Sequence, residues 1–399
     1  MVRPLDRVSD AVSETELERR WTALREVIRD AGVDALLAQG ANHVNGVGGY
    51  SRWITGGALY GSYPETTIFP KDGLMVKVGH GPFGGEADFG GRNRTQPGTG
   101  RRLSTPTFPA ISYCDAYDAE LIAKEVRRLG LRRIGLVGPG TMYWGFANAL
   151  FKLLDDVEFI NVTDAVDHLR ADKSPEEIDL MRRAAKMQDD IFAKVPEFLQ
   201  PGLRDYQLMA HGQFHGALQG GASGYFLGGS APVGEPAGMN PRQMQGRVIQ
   251  DGDVVVFQPE NSGPGGYFVH ACRIYVLGKA PQELVDRWGD MVEAQDFTVG
   301  LLQNGADCAE IFRQYNDYMQ ARGFPLEDRL FAHSQGYDVV ERPLIRQDER
   351  MAIGPNMNIG IHPRYANERV FVTVCDNFLT HASGPAERLH RTPREIFEL

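Results

Sequence analysis

The 399-residue chain is 42% hydrophobic, enough to bury the cores of two ordinary domains, so disorder is excluded as its main state. Its 42 Lys and Arg against 52 Asp and Glu give a formal net charge of -10. That argues against nucleic acid as the main partner, since phosphate binding needs a concentrated positive field. Four dispersed cysteines, Cys114, Cys272, Cys308 and Cys375, have no CxxC spacing and signal neither a disulfide framework nor a thiolate zinc site, which fits a reducing compartment.

The charged N-terminus, MVRPLDRVSDAVSETELERRW, lacks the apolar core of a signal peptide. No later stretch reaches about 18 uninterrupted apolar residues, so a soluble, cytoplasmic protein with no membrane partner is expected. From Glu14 to Ala31, Leu17, Trp21, Leu24, Val27 and Ile28 recur every three or four residues and predict an amphipathic helix. The strand-like run 35–39 follows, then 66–70 and 74–79, paired across a Lys71-Asp72-Gly73 turn. A helix at 117–129, a strand at 132–138 and a helix through FANALFKLL complete an α/β unit over residues 1–168.

A second unit, 169–399, begins with a helix from Pro175 to about Leu199, announced by Ser174 as cap, Pro175 in the first turn and Glu177 closing a Ser-x-x-Glu box. After a helix at 205–217, the glycine- and proline-rich stretch 218–241 reads as a long functional loop. Strands at 253–260 and 267–278, helices at 281–303 and 308–322, and strands at 357–363 and 368–381 follow.

LRADKSPEEIDLMRRAA, the Gly-Asp-Val-Val-Val strand at 252–256, GYFVHACRIYVLG at 266–278, His333 in FAHSQG, MNIGIHP and VFVTVCDNFLTH together resemble the creatinase/aminopeptidase P superfamily. That resemblance implies an α/β N-terminal domain followed by an α+β pita-bread catalytic domain, a small-molecule substrate and a homodimer. The peptidases of the family hold two metals with two Asp, one His and two Glu. On this chain those positions are matched by Gln258 (with Glu260 two residues on), His270, His333, His362 and a residue near Asn367. Two assisting histidines are matched by Met239 and Val340.

A dinuclear site needs bridging carboxylates to offset two dications about 3.5–4 Å apart, and this chain keeps at most Glu260. Three imidazoles, His270, His333 and His362, with Glu260 or water, suit instead one Zn, Fe, Mn, Ni or Cu ion; a metal-free acid/base site is the alternative. His333, Glu341 and Glu260 are the candidate catalytic groups. Arg52, Trp53, Tyr225, Phe226, Tyr267 and Tyr337 are candidate substrate contacts, each balanced by an ordinary packing role. Arg273 reads as structural, and His211 and His215 as surface histidines without an HExxH pattern.

With the water-activating carboxylates lost, a lyase cleaving a C-C or C-heteroatom bond in a small non-peptide molecule, aromatic ones included, is the leading expectation. Hydrolysis of a C-N bond in an amidino or amide compound is the alternative, and a catalytically inactive binding module the rival class.

Overall fold

The computed structural model describes residues 9–40, 48–57, 63–222 and 224–399. The first eight residues of the N-terminal stretch, residues 58–62 of the segment 50–70, and Ser223 of the glycine-rich stretch lie outside the described residues. Two compact units are formed, Met1–Arg170 and Ala171–Leu399. No helix among the described residues is long and apolar enough to cross a membrane.

In the first unit, Ser13 caps α1 (Glu14–Ala31) by accepting from Glu16 N at 3.1 Å, and Gly32 ends it in the left-handed region at φ 61°. Strands β1 (Ala35–Gly40), β2 (Glu65–Pro70), β3 (Met75–His80), β4 (Gly85–Asp88), β5 (Thr99–Thr105), β6 (Arg133–Val137) and β7 (Glu158–Asn161) form one sheet in the order β4-β5-β3-β2-β1-β6-β7. Helices α2 (Gly49–Thr55), α3 (Tyr117–Leu129), α4 (Trp144–Leu153) and α5 (Thr163–Ala171) complete the unit. Leu37, Ile68, Val78, Ile122, Val126, Ile134 and Leu150 close its core, as an α/β layering requires. Strand β5 escapes the sequence pattern because Arg101 and Arg102 interrupt it. Arg101 is accommodated by ion pairs to Glu86 at 2.6 Å and to buried Glu125 at 3.7 Å.

The second unit opens with α6 (Pro175–Phe198), whose expected capping box is present: Glu177 N donates to Ser174 Oγ at 3.2 Å and Ser174 N to Glu177 Oε2 at 2.8 Å. Helix α7 (Asp205–Leu218) follows. The stretch beyond it is not all loop: β8 (Gly224–Pro232) pairs antiparallel with β9 (Asp253–Ser262) along its full length. Glycine makes this pairing feasible, because a Cβ at Gly228, with φ 146°, would collide with the Val256 carbonyl.

The strand expected at 267–278 is broken into β10 (Phe268–His270) and β11 (Arg273–Val276). Pro259, opposite Ala271, has no N–H to continue the ladder, and Cys272 N turns instead to Cys375 O at 3.1 Å. Helices α8 (Gln282–Leu301) and α9 (Cys308–Ala321) precede β12 (Ala332–Ser334), β13 (Glu341–Leu344), β14 (Asn358–Ile361), β15 (Arg364–Ala366), β16 (Phe371–Thr373), β17 (Asp376–Leu379), β18 (Glu387–Arg388) and β19 (Ile396–Glu398). Two five-stranded sheets result, one in the order β10-β9-β11-β19 with β8 on β9, the other β13-β12-β14-β17-β18. The Cys272–Cys375 bridge joins them, and their shared core includes Val256, Ile274, Met291, Phe331, Ile359 and Val372.

Candidate metal centre

Three chain segments deliver the three histidines. His270 ends β10, His333 is the middle residue of β12, and His362 follows β14, where its N–H is tied to Phe331 O at 2.8 Å. Their ring centroids form a triangle 5.3 Å on every side, and one nitrogen of each lies within 4.8 Å of the others. Among the described residues this is the group of His, Cys, Asp and Glu side chains placed to hold a metal ion. His270 and His333 are buried, while His362 keeps partial exposure.

Electrostatics keeps two of the three uncharged. Burial, then the neighbouring His270, pulls His333 down to about 4, and the same two causes with His333 added hold His362 well below 6.5. Neutral imidazoles are the form that ligates metal. His333 Nδ1 donates to Ser334 O at 3.0 Å, which leaves its Nε2 as the free donor of an electron pair.

His270 Nε2 is buried with no hydrogen-bond partner. A methyl group at Gly360 would overlap this imidazole, so glycine there is what admits the ring. An enclosed orphan nitrogen, a cradle that a Cβ would fill, and three imidazole donors fit one Zn, Fe, Mn, Ni or Cu ion.

Other expected site residues are placed differently. Glu260 Oε1 lies 3.0 Å from His270 Nδ1, on the imidazole edge opposite the orphan nitrogen, so this carboxylate stands behind a ligand and outside the donor cluster. Burial alone would raise its pKa, but hydrogen bonds from His270 and Gln258 and the electrostatic attraction of the neighbouring imidazoles hold it below the usual carboxylate range. Glu341 is committed elsewhere: Lys173 Nζ donates to it at 2.7 Å in a buried ion pair, and Asp338 N donates at 3.1 Å. A carboxylate neutralised in this way is a poor general base.

Asn367 is exposed and bonds Tyr365 and Glu283. The register Ile361↔Asp376, carried one step further, sets Cys375 opposite His362 instead. Burial pushes the Cys375 thiol well above 9, so it remains protonated.

Of the expected substrate contacts, Tyr225 pairs with Glu260 in the sheet and is 36% exposed, a placement suited to lining an approach. Phe226 faces the other side of β8 and packs on Phe257. Tyr267 and Tyr337 are buried with ring centroids 4.2 Å apart, and Tyr267 donates to Glu177 at 2.7 Å, which ties them to the start of α6. Trp53, 1% exposed, is an anchor of its own unit beneath Arg20, and half-buried Arg52 lies beside it on α2. His211 and His215 stack on Phe198, as surface histidines can.

Sequence reasoning missed Gln335, Asn358, Asn377 and Gly360. Asn377 carried a usable signal, a polar residue inside an apolar strand, whereas Gln335 carried none.

A model of the description "Metallopeptidase family M24" matches residues 179–382. The chain belongs to metallopeptidase family M24. Among M24 relatives, the Bacillus subtilis protein described as uncharacterized peptidase YqhT is 25% identical over 293 residues, spanning 69% of this chain and 78% of that protein. The creatinase of Bacillus sp. strain B-0618 is 23% identical over 383 residues, 90% of this chain and 85% of that enzyme. The solved Xaa-Pro dipeptidase of Bacillus anthracis superposes with a TM-score of 0.77 at 19% identity, covering 96% of this chain and all of that one, so the two share the pita-bread fold. M24 membership makes hydrolysis the reaction type that the comparisons support.

Proposed function

We propose that this M24 protein hydrolyses a C-N bond in a small non-peptide amide or amidino compound, with one divalent transition-metal ion held by His270, His333 and His362. The observation that carries the reading is the triangle of imidazoles with donor nitrogens within 4.8 Å of one another. An ion bound there supplies Lewis acidity toward a carbonyl or amidine carbon and lowers the pKa of water.

The chain's own residues do the rest. Glu260, with a lowered pKa, is a carboxylate at neutral pH that backs His270 and holds its imidazole toward the cluster. Tyr225, its neighbour across the sheet, offers a phenol to orient a substrate. Loss of the family's other metal carboxylates to Gln258, His270, His362 and Cys375 argues for a single ion and a substrate other than a peptide. The relative described as a creatinase supports a non-peptide compound as substrate.

This reading displaces the elimination expected from sequence, which the M24 comparisons do not support. A screen of amides and guanidino compounds with protein purified without a histidine tag tests it. Release of ammonia, an amine or urea is expected, with one oxygen from H2 18O in the product. An unsaturated product without solvent oxygen would establish elimination instead, and turnover of nothing in any metal-loaded form would favour a binding module.

A further inference from the structure

We infer that Gln335, with Asn377 and Glu260, is a positioning residue that fixes His270 in the Nδ1–H tautomer and so presents a bare Nε2 to the centre of the histidine triangle. The inference rests on the metal reading for its purpose, and on hydrogen-bond geometry for its content.

Gln335 follows His333 by two residues and is fully buried, as are Asn358 and Asn377. Its Nε2 donates to Val339 O at 3.0 Å and to Glu260 Oε1 at 3.2 Å, with His270 Nδ1 a third neighbour at 3.3 Å. Two protons serve the two oxygens. The 3.0 Å approach of Glu260 Oε1 to His270 Nδ1 then needs a proton of its own, and the imidazole supplies it.

The other end of Gln335 is fixed as well. Asn377 Nδ2 donates to Gln335 Oε1 at 2.9 Å and to Asn358 Oδ1 at 2.9 Å, while Asn377 Oδ1 accepts His270 N at 2.8 Å. A flipped Gln335 amide would set oxygen against the Glu260 and Val339 oxygens and nitrogen against the Asn377 amide nitrogen. The ring therefore allows one orientation, and it grips His270 by both its main chain and its imidazole. Such partners behind a ligating histidine typically govern about 10–100-fold in metal affinity.

The test uses the full chain and Co2+ as probe. In metal-free wild type, 15N-histidine NMR is expected to show His270 as the Nδ1–H tautomer. Q335M, similar in size but without donor or acceptor, is expected to give a tautomer mixture and to bind Co2+ about 10–100-fold more weakly in a chelator competition. Its visible Co2+ bands should keep their positions and intensities, because the three donors are unchanged. Should Q335M not yield folded protein by circular dichroism, E260Q is the second variant, with the same expectation.

Unchanged tautomer and unchanged Co2+ affinity in the folded variant would overturn the positioning role. Altered band intensity in E260Q would overturn it in another way, by making Glu260 a ligand. A wild type that shows the Nδ1–H tautomer yet takes up no Co2+ would support the ring and sink the metal reading.

Discussion

Two buried polar side chains on β10 and β11, the His270 imidazole and the Arg273 guanidinium, differ in whether their hydrogen-bonding capacity is used up. Around Arg273, which is wholly buried, every guanidinium N–H is matched: Nε to Pro393 O, one terminal nitrogen to Cys272 O and Cys375 O, the other to Asp376 and Thr392 O. His390 is saturated too, accepting from Asn377 N at 3.3 Å through Nδ1 and pairing Nε2 with Gln188 Oε1 at 3.0 Å. His270, one side chain away through the same Asn377, is satisfied at Nδ1 and bare at Nε2. A saturated buried side chain holds structure together, whereas a buried lone pair without a partner costs about 1–3 kcal/mol; Asp376 Oδ2 is also unpartnered, but only the orphan at His270 faces two further imidazoles.

The largest effect that would break this contrast is on the saturated side. R273M should leave buried Asp376 with only Arg388, 3.7 Å away, as countercharge and cost about 3–5 kcal/mol, enough to lower the melting temperature by several degrees or more or to prevent folding. Differential scanning calorimetry checks this. A variant as stable as the wild type would mean the cluster is not the structural element described here.

A smaller, pH-dependent effect comes from His390. Burial outweighs the attraction of Asp376 and Asp189 and holds its pKa at about 4, against 6.5 for an unperturbed histidine. The unfolded chain therefore binds a proton before the folded one does. The stability contributed is present above about pH 6.5 and is lost as pH falls toward 4, at most about 3 kcal/mol. In H390Q the urea-derived stability should fall less steeply between pH 6.5 and 4 than in the wild type. Parallel slopes would contradict a neutral, saturated His390.

Much of this architecture was legible in the residues. The Ser174-Pro175-Glu177 signature gave the start of α6, and the apolar periodicity gave α1 and α3 to the residue. All three histidines were legible through their places in the family pattern. What stayed hidden depends on which strand faces which. Tyr225 and Phe226 look equivalent in sequence, yet the alternation of β8 sends one toward Glu260 and the other into the core. Glu341 looks like a free carboxylate until Lys173, 168 positions away in the chain, is seen against it. Asn367 was expected near the family's last metal carboxylate, and that Cys375 is the residue across from His362 emerges only from the β14–β17 register. Gly360 has no sequence signal at all, since its role is the space it leaves for an imidazole ninety residues earlier.

Metal content of untagged protein tests the central claim most directly. Elemental analysis of wild type and of G360A, whose added methyl would crowd His270, should find about one divalent transition-metal ion per wild-type chain and a small fraction of that in folded G360A. Active wild-type protein free of metal, or G360A holding the full complement, would contradict the account.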